Sequence, residues 1–326
     1  MSPMSPMSPR DRPAGVDAAR FLLPYPASQI GELPGDLPVA VWDGTGVRPG
    51  IESLAAVEFF VVPYTFTHAA LPLLPRLPAL RVVQSLSAGV EELGRHIPDG
   101  VVLCNAAGVH DASTAELAVT LTLAALRGVP ESVRHQDRAQ WLTGFRPALA
   151  DRTVLLVGYG SIGSAVEARL GAFECEVLRV ARSARESTHG PVHSVSRLPE
   201  LLPRADVVVL TVPLTADTRG LADADFLALM REGALLVNVS RGPVVDTQAL
   251  LAELGTGRLS AALDVTDPEP LPAGHPLWRA PNTLITPHVG GTTSAFLPRA
   301  LRLIRAQLLR YLQGEPLANT VPPRVP

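Results

Sequence analysis

Short apolar runs recur along the 326-residue chain at intervals that fit a βα alternation. Phe21-Leu22-Leu23, Val39–Trp42, Phe59–Val62, Arg81–Gln84 and Val101–Cys104 are brief, partly β-branched and bounded by Pro, Gly, Asp or Asn, the pattern of buried strands. Helical stretches fit between several of them, which predicts a mostly parallel sheet. A second series starts at Arg152, with strands expected at Thr153–Val157, Glu176–Val180, Val207–Val212, Ala234–Val239, Ala261–Asp264 and Thr283–Thr286. Between the series a helix is expected from about Thr114 to Arg127, with Asp111 or Ser113 as its N-cap. It is apolar on nearly every face, so burial on several sides is expected. A final helix, about 293–313, carries Leu297, Leu301, Ile304, Leu308 and Leu312 at helical spacing and should pack back on the first domain.

These elements predict an α/β protein of two Rossmann-like or flavodoxin-like parallel-sheet domains, the second inserted into a discontinuous first. The expected boundaries are a disordered tail at 1–18, a first domain of 19–110 and 292–326, and an inserted domain of 111–291. Two domains also suit the length.

Composition narrows the function. Hydrophobic residues make up 47% of the chain, yet no apolar run reaches the roughly 18–20 residues that span a bilayer. The N-terminus repeats Met-Ser-Pro three times and lacks the apolar core of a secretory signal, so a cytoplasmic protein that does not engage the membrane is expected. Cys104 and Cys175 have no metal-ligand spacing and read as buried structural thiols. A net charge of −3 without a basic run argues against nucleic-acid partners. All 28 Lys+Arg positions are arginine, which removes Schiff-base, Ser-Lys and P-loop lysine chemistry.

Thr153–Val157 runs into Gly158-x-Gly160-x-x-Gly163, and a helix follows. The first glycine permits a tight turn, the second lets backbone approach a pyrophosphate, and the third allows close helix–strand packing. That helix is expected over Ser164–Leu170, and its N-terminus, with Ser161 and Ile162 of the turn before it, offers free N–H groups to phosphate. This makes the inserted domain a dinucleotide-binding one and leaves the discontinuous domain for substrate. The next strand ends Val180-Ala181-Arg182-Ser183-Ala184-Arg185, without the acidic residue that an NAD site places roughly 20 positions after the turn. Arg182 and Arg185, with the Ser183 hydroxyl, are suited to a 2′-phosphate, so NADP(H) is favoured and NAD(H) stays possible. Two solvated arginines in an arginine-rich chain would look the same.

Three later segments carry the remaining chemistry: Asn238-Val239-Ser240-Arg241-Gly242, Asp267-Pro268-Glu269-Pro270 and Thr286-Pro287-His288-Val289-Gly290-Gly291. An arginine can grip an anion, a histidine can move a proton, and a glutamate can orient that histidine. No His/Cys/Asp cluster calls for a metal.

Together with Ser87-Ala88-Gly89-Val90, Asn105–Val109, Thr114-Ala115-Glu116, Val212-Pro213-Leu214-Thr215 and Ala262–Val265, these segments make the chain resemble the D-isomer-specific 2-hydroxyacid dehydrogenase family from about Phe21 to Leu317. The resemblance implies NAD(P)-dependent reduction of a small 2-oxo acid to the D-2-hydroxy acid, in the manner of a glyoxylate or hydroxypyruvate reductase, with cleft closure between the domains. It assigns Arg241 to the substrate, His288 to acid/base chemistry and Glu269 to holding His288. It implies that the loop amides of Ala88, Gly89 and Val90 bind the substrate carboxylate. Asp264 and main-chain groups near Val239 would border the nicotinamide, and Val212, Pro213 and Thr218 the adenosine side and the phosphates. Thr114 should sit near the cleft. His110 is an unassigned accessory, and Tyr64 and Phe66 are expected to line the pocket, although core packing would account for both aromatics equally. Glu91-Glu92 departs from the family pattern, and the helix after Thr114 with the segment to Trp141 resembles a homodimer contact. Two other readings stay open: a dinucleotide-sensing binding protein, and a dehydrogenase acting on another small anion.

Overall fold

The computed structural model describes residues 19–35, 37–45 and 54–322 and forms two units. The tail expected at 1–18 lies outside the described residues. One unit comprises 1–109 with 297–326, and the other 110–296.

The first unit holds five parallel strands in the order β2-β1-β3-β4-β5: β1 Phe21–Leu23, β2 Val39–Val41, β3 Phe59–Val61, β4 Val82–Gln84 and β5 Val102–Cys104. Short helices α1 (Ala27–Ile30) and α2 (Thr67–Ala70) belong to the same unit. Strands β1, β3 and β4 are buried along their whole length, which is why β1 and β3 read as continuous apolar runs rather than alternating ones, with Gln84 the polar exception at the end of β4. Leu22, Phe60, Val62, Leu74 and Val83 form the core on one face. On the other, Tyr311 meets Phe21 and Phe59 edge-on at centroid distances of 6.2 and 5.3 Å. Burial and a hydrogen bond to Glu58 push the Tyr311 phenol up to about 12.

The second unit starts with α3 (Asp111–Leu126), followed by α4 (Val129–Gln136). It then builds β6 Thr153–Val157, α5 Ser161–Leu170, β7 Glu176–Ala181, β8 Arg185–Ser187 and β9 Gly190–Ser194. After these come α6 Leu198–Leu201, β10 Val207–Leu210, α7 Ala224–Leu229, β11 Leu235–Asn238, α8 Thr247–Thr256, β12 Ser260–Leu263 and β13 Thr283–Ile285. The last helix, α9 (Phe296–Gln313), runs almost wholly within the first unit. Sheet order is β13-β12-β11-β10-β6-β7-β9-β8, parallel except for the β8–β9 hairpin. Chain direction across the sheet reverses at β6, with β7 on one side and β10 on the other. Such a switch point opens a crevice at the carboxyl ends of the strands.

Several sequence expectations shift. Helix α3 starts at Asp111 rather than Thr114, and its cap position is His110, with no side-chain cap. The sequence does not signal the β8–β9 hairpin, because its residues are largely polar and lie at a sheet edge. Strands β10, β11, β12 and β13 stop one or two residues early. Thr211, Val239, Asp264 and Thr286 still donate their N–H to the neighbouring strand, at 2.9, 3.3, 2.9 and 2.9 Å, and leave the ladder there. The buried face of α9 is Ala300, Ile304, Gln307 and Leu308, while Leu297 is exposed. Cys104 is buried as expected, but Cys175 is only half-buried. Among the described residues no helix is long and apolar enough to cross a membrane.

One buried ionic cluster braces the start of the second sheet. Glu167 on α5 accepts from Arg179 Nε on β7 at 2.9 Å through both oxygens, and from the Tyr159 hydroxyl. Burial alone would raise the Glu167 carboxyl, but the Arg179 and Tyr159 hydrogen bonds outweigh it and hold the group below its usual range. Arg179→Met would strand that carboxylate and is expected to lower unfolding free energy at pH 7 by about 3–5 kcal/mol in urea titrations. With the folded-state value depressed, the wild-type contribution is complete above the ordinary glutamate range and is lost as pH falls through the folded value. The stranded carboxyl of the variant protonates more readily, so the deficit should shrink below about pH 4.5.

Candidate active site

The glycine turn sits between β6 and α5, at the switch point. Gly158 has φ 105°, and a Cβ there would lie 2.6 Å from Val212 N, so only glycine lets the turn press on the chain leaving β10. A Cβ on Gly163 would lie 2.8 Å from Gly158 O, the close helix–strand packing expected of the third glycine. Gly160 differs: nothing lies within 4 Å of a Cβ built there, so this backbone faces open space. Among the described residues the amides of Ser161 and Ile162 have no acceptor, and α5 has no side-chain cap. The turn therefore offers uncapped N–H donors beside an open glycine, which fits a pyrophosphate. Thr211 Oγ1 closes it by donating to Gly158 O at 2.8 Å.

At the tip of β7, Arg182 and Ser183 are exposed. Arg185 starts β8 and donates from Nη2 to the Tyr159 carbonyl inside the glycine turn. The two arginines are thus not equivalent: one is open, the other is tied to the turn. The missed hairpin brings His193 and Ser194 alongside Val180 and Ala181, and Ser194 Oγ donates to Arg182 O at 3.4 Å. Val212 flanks Gly158, and Thr218 Oγ1 donates to Pro213 O at 2.6 Å, folding the 213–218 loop on itself.

The three chemistry-bearing segments leave three adjacent parallel strands, β11, β12 and β13. Asn238 clasps the first: its Oδ1 accepts from Ser240 N at 3.0 Å and Ser240 Oγ at 2.6 Å, and its Nδ2 donates to Arg241 O at 3.1 Å. Arg241 is half-buried, and its Nη1 donates to Ser240 O at 2.7 Å. A Cβ on Gly242 would lie 1.8 Å from Thr266 O, so the arginine segment is seated directly on the chain that leads to Glu269. Val239 is buried in the core beside Val237 and Ala262.

His288 has a left-handed backbone, φ 54°, and its N–H bonds to Asp264 O at 2.8 Å and Thr286 O at 3.1 Å. Its Nδ1–H donates to the Glu269 carboxylate, which leaves Nε2 as the ring atom for chemistry. Asp264, almost wholly buried, directs its carboxylate at this same loop. Thr286 Oγ1 and Val289 N donate to Oδ1 at 2.6 and 2.9 Å, and Gly290 N donates to Oδ2 at 2.9 Å. Asp264, expected beside the nicotinamide, is first of all the anchor of the His288 loop. Thr114 and Leu117 of α3 back Gly290, each 3.6 Å from a Cβ built there. His110 is buried and stacked on Phe296 at 5.5 Å, and Ser113 Oγ meets Thr293 Oγ1 at 2.7 Å. Asp267 is an exposed loop residue whose carbonyl accepts from Thr247 Oγ1 at 3.1 Å.

In the first unit, Ser87–Val90 follows β4 as a half-buried loop. Among the described residues the amides of Ala88, Gly89 and Val90 have no acceptor. Their neighbouring carbonyls are engaged: Ser87 O accepts from Ala106 N and Ala88 O from Asn105 Nδ2, both at 3.0 Å. Consecutive open amides of this kind suit an anion. Tyr64 is half-buried and Phe66 partly exposed, and Glu92 pairs with His68 at 3.2 Å.

An open dinucleotide turn and an oriented Glu–His pair, both beyond the carboxyl ends of strands in one sheet, define an oxidoreductase of the doubly wound class. Residues 119–290, more than half the chain, match the family model described as D-isomer specific 2-hydroxyacid dehydrogenase, NAD binding domain. The chain is 36% identical over 252 residues to glyoxylate reductase/hydroxypyruvate reductase of Homo sapiens, covering 74% of this chain and 76% of that one. A D-isomer specific 2-hydroxyacid dehydrogenase from Xanthobacter autotrophicus Py2, solved with NADPH and MES, superposes with TM-score 0.77 at 30% identity, covering 94% and 99%. An NADPH-dependent glyoxylate/hydroxypyruvate reductase from Sinorhizobium meliloti, solved with NADP and malonate, does so with TM-score 0.76 at 26% identity, covering 93% and 97%. The chain belongs to the D-isomer specific 2-hydroxyacid dehydrogenase family. It is an NAD(P)-dependent oxidoreductase acting on CH–OH donors.

The glycine geometry separates folding from binding. Gly242→Ala collides with backbone and should lower unfolding free energy by about 2–3 kcal/mol, read as a drop in melting temperature. Gly160→Ala should leave the apoprotein's melting temperature unchanged while weakening the stabilisation that added NADPH confers.

Proposed function

We propose that this enzyme reduces small 2-oxo acids of the size of glyoxylate or hydroxypyruvate to D-2-hydroxy acids, with NADPH preferred over NADH. The observation that carries the reading is the His288–Glu269 pair beside the Arg241 segment, because a protein that only senses dinucleotide needs no proton relay. The reading takes 110–296 as the dinucleotide unit and the other unit as the one that holds substrate. The names of the human and Sinorhizobium relatives support the substrate class.

Gly158, Gly160, Ser161, Ile162 and Gly163 would hold the pyrophosphate, with Val212, Pro213 and Thr218 on the adenosine side. Arg182 and Ser183 would take the 2′-phosphate beside Arg185, and Val239 and Asp264 would border the nicotinamide. When bound, the reduced nicotinamide supplies a hydride to C2 of the substrate. Arg241 holds the carboxylate and the C2 oxygen with its fork of donors, so negative charge arriving on that oxygen meets a fixed cation. His288 Nε2–H gives the proton to the same oxygen, and in oxidation the neutral ring takes the hydroxyl proton. Glu269 keeps the proton on Nδ1 and the ring in register. Amides of Ala88, Gly89 and Val90 bind the carboxylate. We place this work in the cytoplasm.

A matrix of NADH and NADPH against 2-oxo acids of graded size tests the reading. NADPH should be favoured at least about tenfold in kcat/KM, and Arg182→Ala should erase most of that preference. His288→Ala should lower kcat by about 10²–10⁴, and Arg241→Ala should cost about a hundredfold or more in kcat/KM. No turnover of any 2-oxo acid with either cofactor would sink the proposal.

The assembly we propose is a homodimer. Trp141 is 93% exposed and Leu142 69%, with Phe145 fully exposed beside them. Exposed apolar side chains in one continuous segment suit a protein contact. Trp141→Glu combined with Phe145→Glu should convert a dimer to a monomer in light scattering; a wild-type monomer would refute this part.

A further inference from the structure

We propose that Gln307, Gln84 and Asn105 form a positioning relay that sets the direction of the open amides in the Ser87–Val90 loop. It rests on the reading of that loop as the substrate-carboxylate site. None of the three touches an amide that would face the anion; they act through the carbonyls behind it.

Gln84 and Gln307 are both fully buried in the first unit. An amide side chain in such a place is costly unless its hydrogen bonds are complete, and here they are. Ala318 N donates to Gln307 Oε1 at 2.9 Å, which fixes the flip of that amide. Its Nε2 then donates to Ala318 O at 2.9 Å and Gln84 Oε1 at 2.7 Å. Gln84 Oε1 is thereby the acceptor, and Gln84 Nε2 must donate: to Ser85 O at 2.7 Å and Asn105 O at 2.9 Å. This locks the ends of β4 and β5 together where the loop begins.

Asn105 carries the constraint onward. Its Oδ1 accepts from Ala107 N at 3.1 Å, so its Nδ2 points to Ala88 O, 3.0 Å away. Ala106 N holds Ser87 O at 3.0 Å, and Ser85 Oγ accepts from Ser87 N at 3.0 Å. In a planar trans peptide, C=O and the following N–H point in opposite directions. Holding Ser87 O therefore turns the Ala88 N–H away from β5, and holding Ala88 O does the same for the Gly89 N–H. Substrate anion would meet donors already aimed, without an ordering cost at binding. Apolar residues at 84 and 307 would serve packing as well, so the glutamines point to a demand on direction.

The test compares Gln307→Met, Gln84→Met and Asn105→Asp in the full-length enzyme with glyoxylate and NADPH. Each should raise the KM for glyoxylate about tenfold, the weight of one hydrogen bond, and leave kcat within about twofold. The KM for NADPH should not move. Combining Gln307→Met with Asn105→Asp should give little more than either alone, since both break one chain. A lower melting temperature with an unchanged glyoxylate KM would overturn the relay and leave a merely structural network. Should Gln307→Met fail to fold, the half-buried Asn105→Asp decides by the same KM criterion. A wild type inactive on every 2-oxo acid would defeat the functional reading instead. The relay is then judged by oxalate calorimetry: weaker binding in Asn105→Asp supports it, equal binding overturns it.

Discussion

The buried Asp264 carboxylate is the interaction on which the chemistry-bearing edge depends. Three adjacent parallel strands deliver Arg241, Glu269 and His288, but parallel strands alone fix only where loops begin. Asp264 fixes where one loop goes, accepting from Thr286, Val289 and Gly290 at once and holding His288 in a left-handed backbone that its side chain would not choose. A buried carboxylate is tolerable there because both oxygens are satisfied by the loop it shapes. Gly242 completes the arrangement by letting the arginine segment rest on Thr266. Remove either constraint and all the functional side chains remain, no longer held to one geometry.

A second constraint runs beneath the dinucleotide turn. Glu167 joins α5 to β7 through Arg179, and reaches the turn through Tyr159, whose own carbonyl accepts from Arg185. Turn, helix, strand and β7 tip are thus coupled by one chain of charge-assisted bonds. The two arginines near that tip take different work as a result. Arg185 has a protein partner and stiffens the turn, which leaves Arg182 as the freer guanidinium for an anion. A specificity contact mounted on a braced tip loses less freedom on binding than one on an isolated loop.

Much of this was legible in the sequence, for a physical reason. Strands covered on both faces leave near-continuous apolar runs, so β1, β3, β6, β10 and β11 announce themselves without any partner being known. The glycine turn was legible because three glycines at that spacing have three different steric duties. What escaped was polar or terminal. The β8–β9 hairpin is an edge element without an apolar face. The sequence places strand ends one or two residues too far, at Val212, Val239, Asp264 and Thr286, where Thr211, Val239, Asp264 and Thr286 still give an N–H to the neighbouring strand after regular pairing has stopped. The helical stripe points to Leu297 rather than Gln307, since such a stripe is read by hydrophobicity and a fully satisfied buried amide has none.

The two units solve a shared problem with one residue type. Asn238 and Asn105 each stand at or just past the end of a strand and turn Oδ1 to an amide two residues on, at 3.0 and 3.1 Å. Each then gives Nδ2 to a carbonyl in a chemistry-bearing segment: Arg241 O at 3.1 Å and Ala88 O at 3.0 Å. Aspartate could make the first bond but has no donor for the second, and serine could not span both. Asparagine thus does what a strand ladder would have done, pairing one acceptor and one donor, at the point where the ladder must end so that a loop can face a ligand. The requirement for a donor and an acceptor on one short side chain makes both positions intolerant of substitution that merely preserves size or polarity.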